Sequence, residues 1–499
     1  MPERPNILLL FCDQFRADAI AAAGNPVIKT PVLDRLCADG VRFSNAFTSS
    51  PACIPARCSM LYGQYPARTG CYWNRDPMPT DERKSFIGAL TEAGYRTHGI
   101  GKMHFRPDRH AMRGFQTRER LEEFSTEGPE GDEYIRFLHE NGFDHVVDPH
   151  GAYGGMYDIP QLAQMPAKLH PTTWVADRSL AFLDEQAGRN QPWFLFTSFL
   201  HPHPPWNPPS PWHKLYRAPD MPFPVVPSDS DTLLTYWNRY WNRVNYRDRG
   251  IDPNLVRTMK AFYYACVSYI DYQVGRILDA LDTAGQADNT MVLFLADHGE
   301  YLGDYNCFGK FSMHDAATRV PCMVRYRRHF EPSRVCSAPI SLVDIAPTLM
   351  SVGQTNLHHP LDGVDLADAA SSRCDRENVF SQYCSGDTAL HMVVNERERY
   401  FYSAPDNREF LFDRSGDPLE TRNCAGVDAY RAAQTRLKES LFAFLRSVDE
   451  TDLIASDRDD WNRVSTLTMP TDPDELLWEQ DQPWADYTIP GYTDTDKPT

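Results

Sequence analysis

Four short clusters of polar residues have the types and spacing needed to bind a metal ion and an anion. They are Asp13-Gln14, Lys102 with His104, His201 with His203, and Asp297-His298. Each cluster follows a predicted strand, and three of the four strands are apolar runs typical of buried parallel strands. The carboxyl ends of parallel strands meet at one edge of a sheet. Carboxylate, carboxamide and imidazole groups at one edge indicate a divalent cation, and lysines beside them indicate an oxyanion substrate. Polar residues at a strand end can also merely cap a loop, but four such clusters favour a shared site.

A fifth feature is the segment Cys53-Ile54-Pro55-Ala56-Arg57. A cysteine with proline at +2 and arginine at +4 should occur by chance in only about one chain per hundred of this length. The alternative is a buried free cysteine in a proline turn, which is our interpretation of the nearby Cys58 and Cys71. The segment is therefore a candidate site for a nucleophile.

The elements that must position these residues alternate between apolar strands and helices. Examples are strands at Asn6 to Phe11 and Met291 to Ala296, and an amphipathic helix at Asn254 to Ala284. This alternation predicts an α/β domain over residues 1–374, with a large, mostly parallel sheet sandwiched by helices. Short strands from residue 379 to 412 and a helix from 430 to 448 predict a smaller subdomain over residues 375–454, an antiparallel sheet plus a helix.

The last segment, residues 455–499, is acidic and yet contains Trp461, Trp478 and Trp484. Disordered segments are poor in aromatic residues. We therefore expect this tail to pack on the body of the protein or on a neighbouring subunit of a homo-oligomer.

Composition excludes several kinds of partner. The formal net charge is −18 and no block of lysine and arginine occurs, so we expect no nucleic acid. No apolar stretch is long enough for a transmembrane helix, so we expect no membrane partner. The first residues lack the basic and apolar regions of a signal peptide, which predicts a cytoplasmic location. The twelve cysteines follow no framework spacing and are expected to be mostly free thiols.

Several motifs together resemble those of the formylglycine sulfatase family, within the alkaline phosphatase superfamily. The segment from Cys53 to Arg57, with Leu61 at +8 and Gly63 at +10, is similar to the family signature. Further matches, spread over roughly the first 350 residues, are Asp13-Gln14, Gly101-Lys102-Met103-His104, Pro202-His203-Pro204, and Asp297-His298-Gly299-Glu300 with Lys310. Leu342 to Thr348 and Asp417 to Glu420 resemble later family landmarks.

The resemblance implies an alkaline phosphatase-like fold and two cofactors. The first is formylglycine, which a dedicated maturation enzyme makes from the signature cysteine, here Cys53. The second is one divalent metal ion. The ligands implied for this metal are Asp13, Gln14, Asp297, His298 and the modified Cys53. Calcium is the common metal in the family, and the imidazole ligand makes manganese an alternative.

The resemblance also implies a role for each remaining residue in hydrolysis of a sulfate ester. We assign His104 as the base that completes turnover at residue 53, because imidazole titrates in the right range. His203 and Lys310 are assigned to protonation of the leaving group, and Lys102 to a non-bridging sulfate oxygen. Arg57 is assigned to the metal ligands and the nucleophile. We expect His201 and His314 to be structural or to contact substrate.

The sequence departs from many sulfatases at two positions. Gln14 replaces a second aspartate and His298 replaces an asparagine, as in choline sulfatases and phosphonate monoester hydrolases. Residues 202–222 also resemble the phosphonate monoester hydrolases, but those enzymes lack the pair formed here by Lys102 and His104. We therefore expect a sulfate monoester as the small-molecule substrate. A phosphonate monoester or phosphodiester hydrolase is the main alternative, and a non-catalytic anion-binding relative is a second.

A third alternative, a phosphomutase or alkaline phosphatase, requires serine or threonine where this chain has Cys53. The sequence does not define the alcohol part of the substrate.

Overall fold

The computed structural model describes residues 4–123, 127–153, 157–245, 247, 250–371 and 373–469. The strands, in chain order, are β1 (Asn6–Cys12), β2 (Val41–Phe43), β3 (Ala46–Phe47), β4 (Arg96–Gly101), β5 (Thr117–Arg120), β6 (Trp193–Phe199), β7 (Thr290–Ala296), β8 (Cys322–Arg325), β9 (Arg334–Cys336), β10 (Ile340–Ser341), β11 (Val379–Tyr383), β12 (Leu390–Val394), β13 (Glu398–Ser403) and β14 (Arg408–Asp413). The α-helices are α1 (Pro31–Asp39), α2 (Cys53–Tyr62), α3 (Pro66–Thr69), α4 (Phe86–Glu92), α5 (Gly128–Gly131), α6 (Glu133–Glu140), α7 (Pro171–Gln186), α8 (Tyr236–Val244), α9 (Pro253–Thr283), α10 (Asp315–Thr318), α11 (Ile345–Gly353), α12 (Leu366–Ala370) and α13 (Arg431–Ser447).

Eight strands form the main sheet, in the order β5-β4-β6-β1-β7-β8-β2-β9. The strands from β5 to β7 are parallel, whereas β8 is antiparallel to both of its neighbours. Every residue of β1, β6 and β7 is buried, as expected for parallel strands covered on both faces. Helices flank this sheet, with α7 packed on β6 and β4, and α1 packed on β8. The predicted large, mostly parallel α/β sheet is confirmed.

The register of the four central strands brings the polar clusters together. Cys12 pairs with Ala296 and with Phe199, and Gly101 pairs with Ser198. The residues that follow these positions therefore leave the sheet side by side at its carboxyl edge. Gly101 has a φ of 91°, and an added Cβ would lie 1.9 Å from the carbonyl oxygen of Ser198. Glycine is required there for the chain to turn from β4 into Lys102.

A second, antiparallel sheet has the order β11-β12-β13-β14, and α13 packs on β12 and β13. The side chain of Trp461 covers part of this unit. It stacks on Tyr402 at 4.1 Å between ring centroids, and its indole N–H donates to the Tyr400 hydroxyl at 2.7 Å. Trp478 and Trp484 lie outside the described residues. The packing of the tail as a whole, and the domain boundaries at residues 374 and 454, stay predictions.

Arg399 of β13 connects this sheet to the segment that follows Lys310. Its guanidinium is fully buried and forms ion pairs with Asp315 at 2.8 Å and Glu420 at 3.0 Å. It also donates to the carbonyl oxygen of Met313 at 2.7 Å and to the Thr318 hydroxyl at 2.8 Å. These contacts fix the C-terminal sheet against the rim of the main sheet.

We expect Arg399→Met to lower the free energy of unfolding by about 3–5 kcal/mol, because removing one partner leaves buried carboxylates without their counter-charge. Urea unfolding followed by circular dichroism measures this change. Arg397→Met, at an exposed position two residues earlier, is the matched control. Equal stability of the two variants would contradict a structural role for Arg399.

No helix within the described ranges combines the length and the apolar character that crossing a bilayer requires.

Candidate active site

Cys53 is the first residue of α2, a helix whose residues are all buried. The N–H of Ile54, which has no partner within the helix, donates to Asn74 at 2.9 Å. The Cys53 Sγ lies 3.2 Å from Nε2 of His298 and 3.6 Å from Oδ1 of Asp13. The start of the helix therefore holds the candidate nucleophile directly against residues that follow β1 and β7.

Asp13, Cys53, Asp297 and His298 form a compact set of metal-ligand atoms. One donor atom from each of the four lies within 4.8 Å of all the others, and the four residues are buried. Two carboxylates and an imidazole suit calcium or manganese. These residues therefore fit the divalent metal that the sequence predicts.

The charges of this set agree with that assignment. Burial, followed by repulsion from Asp13, raises the pKa of Asp297 to about 7. Burial alone would also raise the pKa of Asp13, but Lys102, His203 and Arg57 hold it well below its usual value. Burial and then the Lys310 cation lower the pKa of His298, which keeps its imidazole in the neutral, metal-binding form. Two adjacent buried carboxylates beside a neutral imidazole form a site that a divalent cation stabilises.

Burial, followed by the negative charge of Asp13, raises the pKa of the Cys53 thiol. Catalytic cysteines are activated by the opposite change, a lowered pKa in cationic surroundings. These surroundings therefore favour the protonated form of the Cys53 thiol.

Arg57, one turn after Cys53, bridges the two carboxylates. Its Nε lies 2.9 Å from Oδ2 of Asp297 and its Nη2 lies 3.2 Å from Oδ2 of Asp13. A third N–H donates to the carbonyl oxygen of Lys102 at 2.6 Å. This arrangement places Arg57 on the two carboxylates of the candidate metal site, and its role there stays a prediction.

Gln14 lies between the metal ligands and Lys310. Its main-chain N–H donates to Oδ1 of Asp297 at 3.0 Å. Its side-chain oxygen accepts from Lys310 Nζ at 2.8 Å, and its side-chain nitrogen donates to Glu300. The carboxamide is thus at the edge of the cluster, and its coordination of a metal stays a prediction.

Lys102, His203 and Lys310 meet on the side of the cluster where an anion would bind. Lys102 Nζ lies 2.8 Å from Oδ2 of Asp13 and 2.7 Å from Oε2 of Glu123. The Nδ1–H of His203 donates to the carbonyl oxygen of Pro204 at 2.7 Å, which directs Nε2 towards Lys310 Nζ at 3.2 Å. Burial, followed by Lys310 and Lys102, lowers the pKa of His203.

His104 is half-buried in the turn after β4, with a φ of 55°. Its main-chain N–H donates to the Glu122 carboxylate at 3.2 Å, and its Nδ1 has no hydrogen-bond partner among the described residues. Burial, followed by Lys102 and Arg57, lowers the pKa of His104, which keeps the imidazole neutral. The structure thus places His104 close to the charged groups of the site without a direct bond to them.

His201 and His314 have the contacts of structural residues. His201 is buried between the Asn207 side-chain oxygen at 2.7 Å and the Thr172 hydroxyl at 3.2 Å. His314 is buried between the Tyr301 hydroxyl at 2.7 Å and the carbonyl oxygen of Leu233 at 3.1 Å.

Two residues that touch His203 were not predicted from the sequence. Oε1 of Glu123 and the Tyr157 hydroxyl lie 3.5 Å and 3.1 Å from its Nε2. Neither residue belongs to a motif. Glu123 follows β5, whose residues Thr-Arg-Glu-Arg contain no apolar run, so the strand-end pattern that located the other clusters gave no signal there.

A mostly parallel sheet with two carboxylates, an imidazole and a helix-terminal cysteine at its carboxyl edge defines a hydrolase of alkaline phosphatase-like fold with a candidate metal site. The Sulfatase family profile matches residues 5–355, and the chain belongs to that family. The profile described as N-sulphoglucosamine sulphohydrolase, C-terminal, matches residues 303–447. The prediction of a sulfatase-family hydrolase is confirmed.

Individual relatives match the chain over most of its length. The arylsulfatase of Clostridium perfringens (strain 13 / Type A) is 29% identical over 476 residues, which cover 90% of this chain and 95% of the relative. The multifunctional alkaline phosphatase superfamily protein PehA of Trinickia caryophylli is also 29% identical, and the match covers 86% of this chain and 93% of the relative. The crystal structure of the phosphonate monoester hydrolase of Agrobacterium radiobacter superposes with a TM-score of 0.78 at 24% identity, covering 90% and 97% of the two chains, which shows a shared fold.

Proposed function

We propose that this protein hydrolyses sulfate monoesters with a formylglycine made from Cys53 and one divalent metal ion. The observation that carries the proposal is the position of Cys53. It begins α2 with Pro55 and Arg57 following it, and its Sγ lies within the set of metal-ligand atoms. A nucleophile at that point faces both the cation and the anion-binding lysine side chains.

Asp13, Gln14, Asp297, His298 and residue 53 would hold the metal, which we expect to be calcium, with manganese as the alternative. Once bound, the cation would supply Lewis-acid activation of the residue 53 hydroxyl and would offset the charge of the substrate anion. The described ligand atoms, two carboxylates beside an imidazole and Cys53, support this ligand set.

The cations of the chain orient the ester. Arg57 holds the two carboxylates in place through bonds of 2.9 and 3.2 Å and so fixes the direction of their oxygen atoms. An ammonium group has three N–H donors, and two of those of Lys102 face Asp13 and Glu123. The third is left for a non-bridging oxygen of the ester.

Proton transfer is divided between two histidines. The Nδ1–H bond to Pro204 directs the Nε2 of His203 towards Lys310 Nζ, so Lys310 would supply the proton and His203 Nε2 would pass it to the leaving oxygen. His104, whose Nδ1 has no partner among the described residues, would accept the proton whose loss regenerates residue 53.

Sulfate esters are favoured over phosphonate esters by the pair formed by Lys102 and His104, and the name of the Clostridium perfringens relative agrees with an aryl sulfate. Phosphonate monoester or phosphodiester hydrolysis is the second candidate. It is supported by Gln14 and His298 and by the fold shared with a phosphonate monoester hydrolase. Action of a maturation enzyme on Cys53 and assembly into a homo-oligomer also belong to the proposal.

In active protein, residue 53 should have lost its sulfur. Peptide mass spectrometry of protein produced with a formylglycine-generating enzyme measures this, and activity should rise in proportion to the converted fraction. Cys53→Ala should abolish turnover, whereas Cys58→Ala, a buried cysteine in the same helix, keeps the signature and should still be converted. Full activity in protein that carries only unmodified Cys53 would contradict the proposal.

Paired kinetics on an aryl sulfate and a phenylphosphonate monoester with the same leaving group separate the two candidate functions. The sulfate should have the larger kcat/KM.

A further inference from the structure

Glu123 is a buried carboxylate on the anion-binding side of the site. Its side chain is only 1% exposed, and its two oxygen atoms face different cationic or ionisable groups. Oε2 lies 2.7 Å from Lys102 Nζ, and Oε1 lies 3.5 Å from Nε2 of His203. The proposed function directs these same two nitrogen atoms at oxygen atoms of the ester. A fixed negative charge is therefore present where the substrate anion must bind.

Lys102 does not depend on Glu123 for a counter-charge. Asp13 already lies 2.8 Å from the same ammonium group. Asp13 also pairs with Arg57 and lies in the metal-ligand set, so its charge is shared. The added charge of Glu123 is what leaves Lys102 with a hydrogen bond and little net attraction for the ester. Among the described groups around His203, Lys310 is a cation whose hydrogen-bond partners, the Gln14 carboxamide and the neutral His203 imidazole, carry no negative charge.

The esters that could enter this site differ in charge. A sulfate monoester has one negative charge at neutral pH, and so does a phosphodiester or a phosphonate monoester. A phosphate monoester has up to two, because its second pKa is about 6. A second negative charge beside a buried carboxylate is disfavoured, since like charges repel strongly where solvent is excluded.

We infer that Glu123 makes the site selective for esters with a single negative charge and excludes dianionic phosphate monoesters. The inference rests on the proposed function and names a residue that determines its specificity. It also explains how one site would suit sulfate esters, phosphonate monoesters and phosphodiesters alike, because each of these esters carries a single negative charge.

The test compares three substrates with one leaving group: para-nitrophenyl sulfate, para-nitrophenyl phosphate and the para-nitrophenyl ester of phenylphosphonic acid. At pH about 8 the phosphate is dianionic. Glu123→Gln should raise kcat/KM for the phosphate relative to the sulfate by about 10–100-fold, the effect of one unit charge a few ångströms away. The ratio of phosphonate to sulfate should not change, because both esters are monoanions.

Inhibition supplies a readout that does not depend on turnover of each ester. Competitive inhibition by inorganic phosphate should become stronger in Glu123→Gln, whereas inhibition by methanesulfonate, a monoanion, should change little. Glu122→Gln is the matched control. Its carboxylate is adjacent in sequence but accepts from the main-chain N–H groups of Met103 and His104. It should keep the phosphate-to-sulfate ratio of the parent protein.

Two further variants keep the test decisive. Glu123→Asp retains the charge and should retain discrimination against phosphate. Glu123→Ala removes the charge and replaces the glutamine variant if that protein does not fold. An unchanged phosphate-to-sulfate ratio in every folded variant that lacks the charge would overturn the inference, as would an equal gain for all three esters. Failure of the proposed function is distinct: the mature parent protein would then hydrolyse no sulfate ester.

Discussion

Asp297→Asn is expected to lower kcat/KM for an aryl sulfate by about three orders of magnitude, because charge stabilisation by a bound divalent metal is worth several kcal/mol. An asparagine side-chain oxygen can still accept the N–H groups of Gln14 and His298, which lie 3.0 and 2.9 Å from Oδ1 of Asp297. The change therefore removes a negative ligand while leaving the local backbone bonds in place. Metal content by mass spectrometry, measured beside kcat/KM, should fall with activity.

Asp344→Asn is a suitable control for this experiment. Asp344 is also fully buried and pairs with an arginine, Arg376, but it lies at the start of α11, outside the metal-ligand set. Its replacement should affect stability and leave metal content unchanged. Normal metal content together with normal activity in Asp297→Asn would remove Asp297 from the site.

The strands β1, β6 and β7 were predictable because a parallel strand covered on both faces is largely apolar. Each run is long enough to be distinguished from a loop, and the residues after it, such as Asp13 and Asp297, mark its carboxyl end. The order in which the strands lie is a property of the crossover connections, which no local pattern encodes. The convergence of the polar clusters was predicted from the general rule that sites form at the carboxyl ends of parallel strands, without a predicted strand order.

The edge strand β5 escaped prediction for the opposite reason. It is half-buried and consists of four polar residues. An edge strand needs no continuous apolar run, so no pattern was visible there. Because β5 was not predicted, Glu123 was not predicted either, although it follows β5 and contacts Lys102 in the site. Motif spacing located the members of the candidate metal-ligand set, but not the carboxylate that we infer to set the charge around the anion.

His203→Ala is expected to slow hydrolysis of alkyl sulfates by about 10²–10⁴-fold, the usual contribution of a general acid. Hydrolysis of para-nitrophenyl sulfate should be slowed much less. A nitrophenolate leaves readily without a proton, whereas an alkoxide is far more basic and requires one. The structure supports this assignment because the Nδ1–H bond to Pro204 holds Nε2 beside Lys310. The measurement is kcat/KM for a series of sulfates plotted against the pKa of the leaving alcohol, whose slope should steepen in the variant.

His104→Ala provides the contrast within the same site. A base that acts after the alcohol has departed cannot sense the leaving group, so this variant should slow all sulfates by a common factor. Sulfate should then remain attached to residue 53. Mass spectrometry after rapid quenching should detect it as a mass increase on the peptide that contains this residue. Accumulation of this adduct in the His203 variant and not in the His104 variant would reverse the two assignments. An equal effect of His203→Ala on every sulfate would exclude His203 as the acid, since a group that protonates the leaving oxygen must respond to its basicity.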